Sequence, residues 1–152
     1  MIREFKDEYS FLSNFYTSFI ILDDGTDKFE CPTVEHYFQA CKTPNMEEML
    51  GIIGASTPGM AKRLGRKCML DPNWEKRKDE VMRSALIKKF SDPKLRQKLL
   101  DTGDEYLIEG NWWHDNYWGS CYCDKCRDRG QNRLGQLLME IRYLIREGKL
   151  DG

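Results

Sequence analysis

Residues 33–42, TVEHYFQACK, bring an acid, an amide and an amine onto one face of a predicted helix. Glu35, Gln39 and Lys42 follow one another at offsets of four and three residues, so they lie above one another on a helical surface. Thr33 is the expected N-cap. An apolar stripe runs beside the polar one and consists of Val34, Phe38 and Cys41. Alone, this pattern favours an ordinary amphipathic helix with a solvent-exposed polar face over one wall of a pocket.

A second segment that could take part in binding or catalysis is basic. Residues 56–58, Ser-Thr-Pro, predict the start of a helix, and Gly65 is its expected end. Lys62 and Arg66 lie four residues apart and therefore share a face. A helix start with free N–H groups and a lysine–arginine pair suits a phosphate or pyrophosphate. The alternative is a capped helix with a solvated basic face.

The segment 111–119, NWWHDNYWG, concentrates tryptophans and polar side chains in one loop. Long aromatic loops are retained for packing or for function. Asp115 is a second carboxylate that could work with Glu35, and the rings could sandwich a nucleobase. The alternative is that the tryptophans fill the core.

Three cysteines follow closely, at Cys121, Cys123 and Cys126. Cys-x-x-Cys is zinc-ligand spacing, but the run lacks a fourth ligand, for which His114 is the nearby candidate. The spacing by itself favours redox or plain loop cysteines over zinc. No metal or other cofactor is expected to take part in the chemistry.

The composition predicts one globular domain over residues 1–152. The 24 basic and 25 acidic residues give a formal charge of −1, which argues against an extended groove for duplex DNA. Contact with nucleic acid would have to be local. No apolar run has the length of a membrane span, and the charged N-terminus does not resemble a signal peptide. A cytoplasmic location without membrane contact is expected.

The elements that must position these residues are mostly helices. Asp-Gly at 24–25 predicts a hairpin of strands at 19–22 and 28–31. Helices are expected to begin at five capping sites, which are Thr33, Asn45, Ser56, Asn73 and Asp92. A strand at 106–109 and a last helix from Leu134 to about Gly148 complete the pattern. The predicted class is α+β, mainly helical, with a small antiparallel sheet.

Several of these segments occur together in one known family. They are FLSNF at 11–15, VEHYFQA at 34–40 with Lys42, residues 56–66, Asn73-Trp74, residues 82–90, Asp115 with Trp118-Gly119, and GQNRLG at 130–135 with Leu138-Met139. In this order and over nearly the whole chain, they resemble the NADAR family, which includes the YbiA-like enzymes. The chain departs from shorter members at 120–129, where cysteines replace a glycine-rich stretch.

The resemblance implies a YbiA-like fold and an N-glycosidase. YbiA-like enzymes cleave phosphoribosylated pyrimidine intermediates of riboflavin synthesis, and other members remove ADP-ribose from guanine in DNA. The implied partner is a small riboside or an ADP-ribosylated nucleotide, with possible local contact to ADP-ribosylated single-stranded DNA. Residues implicated in the family fall on Glu35, Trp74 and Asp115. The alternative is a non-catalytic module that binds ADP-ribose or NAD in the same pocket.

Hydrolysis of an N-riboside passes through an oxocarbenium-like transition state, which two carboxyl groups can serve. Glu35 is the expected acid/base, and Asp115 is expected to stabilise the cation or activate water. Seven other side chains are expected to bind substrate: Asn14, Gln39, Lys42, Lys62, Arg66, Trp74 and Trp118. The amides would orient ribose hydroxyls or the base edge, the rings would stack on the base, and the Lys62–Arg66 pair would hold the phosphate.

Overall fold

The computed structural model describes residues 1–150, and its internal contacts separate into two compact units. The central unit is Asn14–Lys89, and the terminal unit combines Met1–Ser13 with the chain from Phe90 onward.

The central unit contains the predicted hairpin and four helices. Strands β1 (Ile20–Asp23) and β2 (Lys28–Cys31) pair antiparallel, with Ile20 opposite Cys31. The helices are α1 (Val34–Ala40), α2 (Met46–Ile53), α3 (Pro58–Lys67) and α4 (Trp74–Lys89). Thr33 and Asn45 cap α1 and α2 as expected, since they accept the N–H groups of His36 and Glu48. The cap of α3 is Thr57, which accepts the N–H of Met60, one residue after the expected Ser56.

Helix α1 lies at the centre of this unit. It packs against α2, α3, α4 and both strands, and every residue from Val34 to Ala40 is buried. The expectation of a solvent-exposed polar face is therefore wrong. Glu35 and Gln39 retain only 7% and 3% of their exposure, because neighbouring elements cover the helix on all sides.

Helix α3 does not end at Gly65 but continues to Lys67. Gly65 lies on the buried side of α3, where a Cβ atom would stand 1.9 Å from Gln39 Oε1. The glycine thus permits close packing of α3 on α1 instead of terminating the helix.

The terminal unit is built from short elements. They are a 3₁₀ helix (Asp7–Leu12), α5 (Pro93–Asp101), β3 (Gly110–Asn111), β4 (Ser120–Cys121) and α6 (Arg133–Arg146). Helices α5 and α6 pack together, and β3 pairs with β4 in parallel.

The strand predicted at 106–109 is wrong in position. Leu107 makes only an isolated bridge to Ile2, and the regular strand begins at Gly110. The Asn132 side chain explains the difference, because its Nδ2 donates to Leu107 O over 2.9 Å and its Oδ1 accepts from Glu109 N over 3.0 Å. These bonds use backbone groups that a strand neighbour would otherwise pair.

The predicted class, α+β and mainly helical with a small antiparallel sheet, is confirmed. The single domain over 1–152 stays a prediction, and its last two residues lie outside the described part of the chain. Within residues 1–150 no helix has both the length and the apolar character needed to cross a bilayer.

Candidate active site

A buried carboxylate and a buried amide on α1 bind each other. Gln39 Nε2 donates to Glu35 Oε1 over 2.8 Å, one helical turn apart. The Glu35 backbone N–H donates to Asn14 O over 3.1 Å, which ties residue 14 to the start of the helix. The amide thereby fixes the orientation of the carboxylate, as a site for proton transfer requires.

Two amide oxygens beside this pair are buried without a hydrogen-bond partner in the described chain. They are Gln39 Oε1 and Asn14 Oδ1. The nitrogen ends of both amides are engaged, since Asn14 Nδ2 lies 3.5 Å from Met82 Sδ and Gln39 Nε2 bonds Glu35. A buried acceptor without a partner costs about 1–3 kcal/mol, so two of them together suit a ligand that brings O–H or N–H donors.

Three cations lie close to this cluster, which are Lys42, Lys62 and Arg66. Partial burial lowers the pKa of Lys42, the Glu35 carboxylate acts in the opposite direction, and the charges of Arg66 and Lys62 lower it further. The Lys42 ammonium also lies 5.8 Å from the centre of the Phe38 ring. Neither Lys62 nor Arg66 forms an ion pair within residues 1–150. The structure therefore brings Glu35, Gln39, Lys42, Lys62 and Arg66 together.

The start of α3 contributes less to anion binding than its sequence suggested. Thr57 Oγ1 accepts the N–H of Met60 over 3.1 Å, and Pro58 has no N–H. The half-buried Lys62 and the exposed Arg66 are the groups on α3 that remain available to a phosphate.

Trp74 is a core residue, with 4% of its surface exposed. Its ring meets Phe38 edge to face at a centroid distance of 5.0 Å, and the Arg77 guanidinium lies 5.8 Å from the ring centre. Trp74 therefore supports α1 from the side of α4. Its stacking on a base stays a prediction.

Lys89 was not among the expected site residues. It is completely buried at the end of α4, with its ammonium 5.6 Å from the centre of the Tyr16 ring. A signal for it existed, since Lys89 follows Met82, Ala85 and Leu86 at helical spacing and so continues the apolar stripe. A lysine on such a stripe has its side chain in the interior.

In the terminal unit, Asp115 is half-buried within a tight turn. Its Oδ1 accepts the N–H groups of Tyr117 and Trp118 over 3.2 and 3.0 Å. Asn111 holds the same turn from the other side, because its Nδ2 donates to Asp115 O and its Oδ1 accepts from Asp115 N. Asp115 thus has a structural role, and its catalytic role stays a prediction.

The tryptophans of this loop do not fill the core. Trp112 and Trp113 are each 61% exposed, and Trp118 is half-buried with its ring edge to face against Tyr117 at 4.8 Å. The remaining loop group, the three cysteines with His114, converges on one point.

A small cleft of about 160 Å³ opens elsewhere, in the central unit. Its lining includes Ile52, Leu64 and Cys68 but none of the expected site residues. The convergence of buried polar groups around Glu35 identifies the candidate site better than this mainly apolar hollow.

The family model of the NADAR domain matches residues 2–146. The chain belongs to the NADAR family. Among curated relatives, N-glycosidase YbiA of Escherichia coli (strain K12) is 42% identical over 140 residues, which cover 90% of this chain and 82% of YbiA. The NMR structure of E. coli YbiA superimposes with a TM-score of 0.81 at 38% identity and covers 99% of this chain and 86% of that one.

Another relative is named after a biosynthetic pathway. The riboflavin biosynthesis protein PYRR, chloroplastic, of Zea mays is 35% identical over 91% of this chain and 24% of its own length. The predicted class of activity, a hydrolase acting on N-glycosyl bonds, is confirmed by the N-glycosidases of the family. The substrate and the roles of individual residues stay predictions.

Proposed function

We propose that this NADAR protein hydrolyses the N-glycosidic bond of a phosphorylated riboside. The first candidate substrate is a phosphoribosylamino-pyrimidine intermediate of riboflavin synthesis, in line with the name of the maize relative. ADP-ribosylated guanine is the second, because three adjacent cations suit a pyrophosphate as well as a monophosphate. One observation carries the proposal. The Gln39 side chain donates a hydrogen bond to the buried Glu35 carboxylate, while its own buried oxygen has no partner within residues 1–150 and can accept a hydrogen bond from a ligand.

The proposed reaction needs one acid and one water molecule. The bond between C1′ of the ribose and the base nitrogen breaks, and the carboxylic acid of Glu35 supplies the proton that the leaving nitrogen takes up. Water adds its hydroxyl group to C1′ and returns its proton to Glu35. The products are the free base and the phosphorylated ribose. A positioned acid/base of this kind contributes on the order of 10²–10⁴-fold in rate.

The neighbouring groups have complementary tasks in this proposal. Gln39 Oε1 and Asn14 Oδ1 accept hydrogen bonds from ribose hydroxyls or from N–H groups on the base edge. Lys42, Lys62 and Arg66 bind the phosphate, and partial burial of Lys42 strengthens its interaction with an anion. Trp74 and Trp118 keep their expected role in binding the base, and Asp115 its role as the second carboxylate, as predictions.

The test is release of base from defined substrates. Purified protein is incubated with a phosphoribosylamino-pyrimidine, its dephosphorylated counterpart and ADP-ribosylated guanosine, and free base is followed by chromatography. We expect release from a phosphorylated substrate and slow release from the dephosphorylated one. Release from ADP-ribosylated guanosine alone would select the second candidate. Tight binding of ADP-ribose without product from any substrate would contradict the proposal and favour the non-catalytic module.

A further inference from the structure

His114, Cys121, Cys123 and Cys126 converge on a common centre in the terminal unit. Their ligand atoms all lie within 4.8 Å of one another. His114 Nδ1 lies 3.6 Å from Cys121 Sγ, 3.5 Å from Cys123 Sγ and 3.5 Å from Cys126 Sγ.

These three nearly equal distances have the size that a metal ion imposes. A tetrahedral zinc ion with Zn–S of about 2.3 Å and Zn–N of about 2.0–2.1 Å holds its nitrogen and sulfur ligands about 3.5–3.6 Å apart. Hydrogen bonding does not explain them, because a neutral imidazole nitrogen has either one proton or one lone pair to offer. It can serve one sulfur, whereas His114 Nδ1 is equidistant from three.

The backbone around the cluster is shaped to aim these side chains. His114 adopts a left-handed φ of 69°, and Arg127 and Asp128, just after the last cysteine, have φ of 52° and 56°. Non-glycine residues in this region are uncommon and persist where the surrounding structure imposes them. The Cys126 N–H donates to Cys123 Sγ over 3.4 Å, a bond suited to a thiolate in a Cys-x-x-Cys turn.

The donor set selects the metal. Three thiolates and one imidazole with no carboxylate disfavour Mg²⁺ and Ca²⁺ and match the Cys₃His sets of structural zinc. Four protein ligands also leave no open position for a substrate or a reactive water molecule. The sequence alone favoured redox or plain loop cysteines, and the position of His114 reverses that preference.

We propose that His114, Cys121, Cys123 and Cys126 bind one Zn²⁺ ion as a structural site that joins the loop after β3 to β4 and to the approach of α6. The zinc ion takes no part in the proposed hydrolysis. Its effect is to hold the loop 111–131 in one conformation.

The test begins with metal content. Untagged protein is loaded with Zn²⁺ under reducing conditions and dialysed. Inductively coupled plasma mass spectrometry should then find about one zinc per chain. Retention below a tenth of an equivalent would overturn the proposal. So would a cluster disulfide in the protein freshly isolated from cells, seen as a loss of two hydrogens in the intact mass.

Variants tie the metal to these residues. Cys123→Ser with Cys126→Ser should lose the zinc, whereas Cys68→Ser, a control at a half-buried cysteine of the central unit, should retain it. His114→Cys should keep the metal and His114→Ala should bind it more weakly, which separates ligation from a folding defect. A strong chelator should lower the Tm of the wild-type protein by several degrees, and Zn²⁺ but not Mg²⁺ should restore it. Unchanged zinc in the double variant would contradict the assignment.

Discussion

The two polar clusters of this NADAR protein are held in place in opposite ways. In the central unit, Glu35 and Gln39 lie on a helix covered on all sides and bind each other. Gln39 Oε1 and the nearby Asn14 Oδ1 are buried without a hydrogen-bond partner within residues 1–150. In the terminal unit, side chains of the loop 111–131 form hydrogen bonds with other groups of the same loop. Asn116 Oδ1 accepts from Cys121 N over 2.9 Å, and Ser120 Oγ donates to Asp128 Oδ1 over 2.6 Å.

This difference distinguishes a site built for a ligand from a site built for rigidity. Buried polar groups that the protein leaves unsatisfied are costly unless a bound molecule completes them, which suits reversible binding of substrate. Polar groups that the backbone already satisfies have less to offer a substrate and more to offer a fixed shape. The loop therefore suits a structural metal, and the helical cluster suits catalysis.

The largest effect on kcat is expected when substitutions of the two carboxylates, Glu35 and Asp115, are compared. Glu35→Gln removes the proposed acid but keeps a hydrogen-bonding side chain, so we expect kcat to fall on the order of 10²–10⁴-fold with Tm nearly unchanged. Asp115→Asn keeps an Oδ1 that can accept the N–H groups of Tyr117 and Trp118 and removes only the charge. Steady-state kinetics and thermal unfolding of both variants decide the comparison.

Loss of activity in Asp115→Asn at wild-type stability would support a catalytic role for Asp115. Near-wild-type activity in this variant, with instability in Asp115→Ala, would leave only the structural role. Full activity in Glu35→Gln would remove Glu35 from the mechanism.

The second effect concerns the packing behind Gln39. In Gly65→Ala the new Cβ would lie 1.9 Å from Gln39 Oε1, so the Gln39 side chain must leave the position in which it bonds Glu35. We expect a stability loss of about 1–3 kcal/mol and a fall in kcat/KM on the order of 10²-fold. Gly51→Ala on α2 is the matched control, because nothing lies within 4 Å of its Cβ position.

The control substitution should stabilise the protein by about 0.5–1 kcal/mol and leave activity unchanged, since alanine has a higher helix propensity than glycine at an exposed position. Thermal unfolding and kinetics measured side by side check both variants. Equal behaviour of the two glycine variants would show that the contact of α3 with Gln39 is unimportant.

The third effect tests the phosphate role. Lys62→Ala and Arg66→Ala should each raise KM for the phosphorylated substrate by about tenfold, as expected for loss of one charge-assisted contact. The dephosphorylated substrate should be affected little, and Arg63→Ala, an exposed cation of the same helix, serves as the control. A fall in kcat with unchanged KM would argue against phosphate binding by this pair.

The smallest effect is the pH dependence that Lys42 imposes on stability. Burial holds the pKa of folded Lys42 below its ordinary value of 10.5. Below the folded pKa the lysine is charged in both states, so the full cost of burying the charge is present. As pH rises from the folded pKa towards 10.5, the unfolded chain holds more protons and stability increases.

Lys42→Met should therefore raise Tm slightly at pH 7, and its advantage over the wild type should shrink as pH approaches 10.5. Thermal unfolding of both proteins across this pH range checks the sign. An advantage that grows with pH would contradict it.

Local signals predicted much of this fold. Thr33 and Asn45 cap their helices as expected, and Asp-Gly places the hairpin, because these signals act over three or four residues. The cap of α3 lies at Thr57, one residue after the expected Ser56. The strand expected at 106–109 failed because Asn132, distant in sequence, bonds Leu107 and Glu109. The extent of α3 was missed because Gly65 serves a contact with α1 and not a turn.

The same division applies to function. By itself, the sequence determined the helix that aligns Glu35 and Gln39, the basic pair of α3, the cysteine spacing and the motifs of the NADAR family. The helix was predicted to include Lys42 but ends at Ala40, so Lys42 lies in the turn that follows it. Only the tertiary structure decided that the polar face of α1 is buried, that two amide oxygens lack partners, and that His114 completes the cysteine cluster. The physical reason is that spacing along a helix or loop fixes direction, whereas burial and convergence depend on what other segments bring against it.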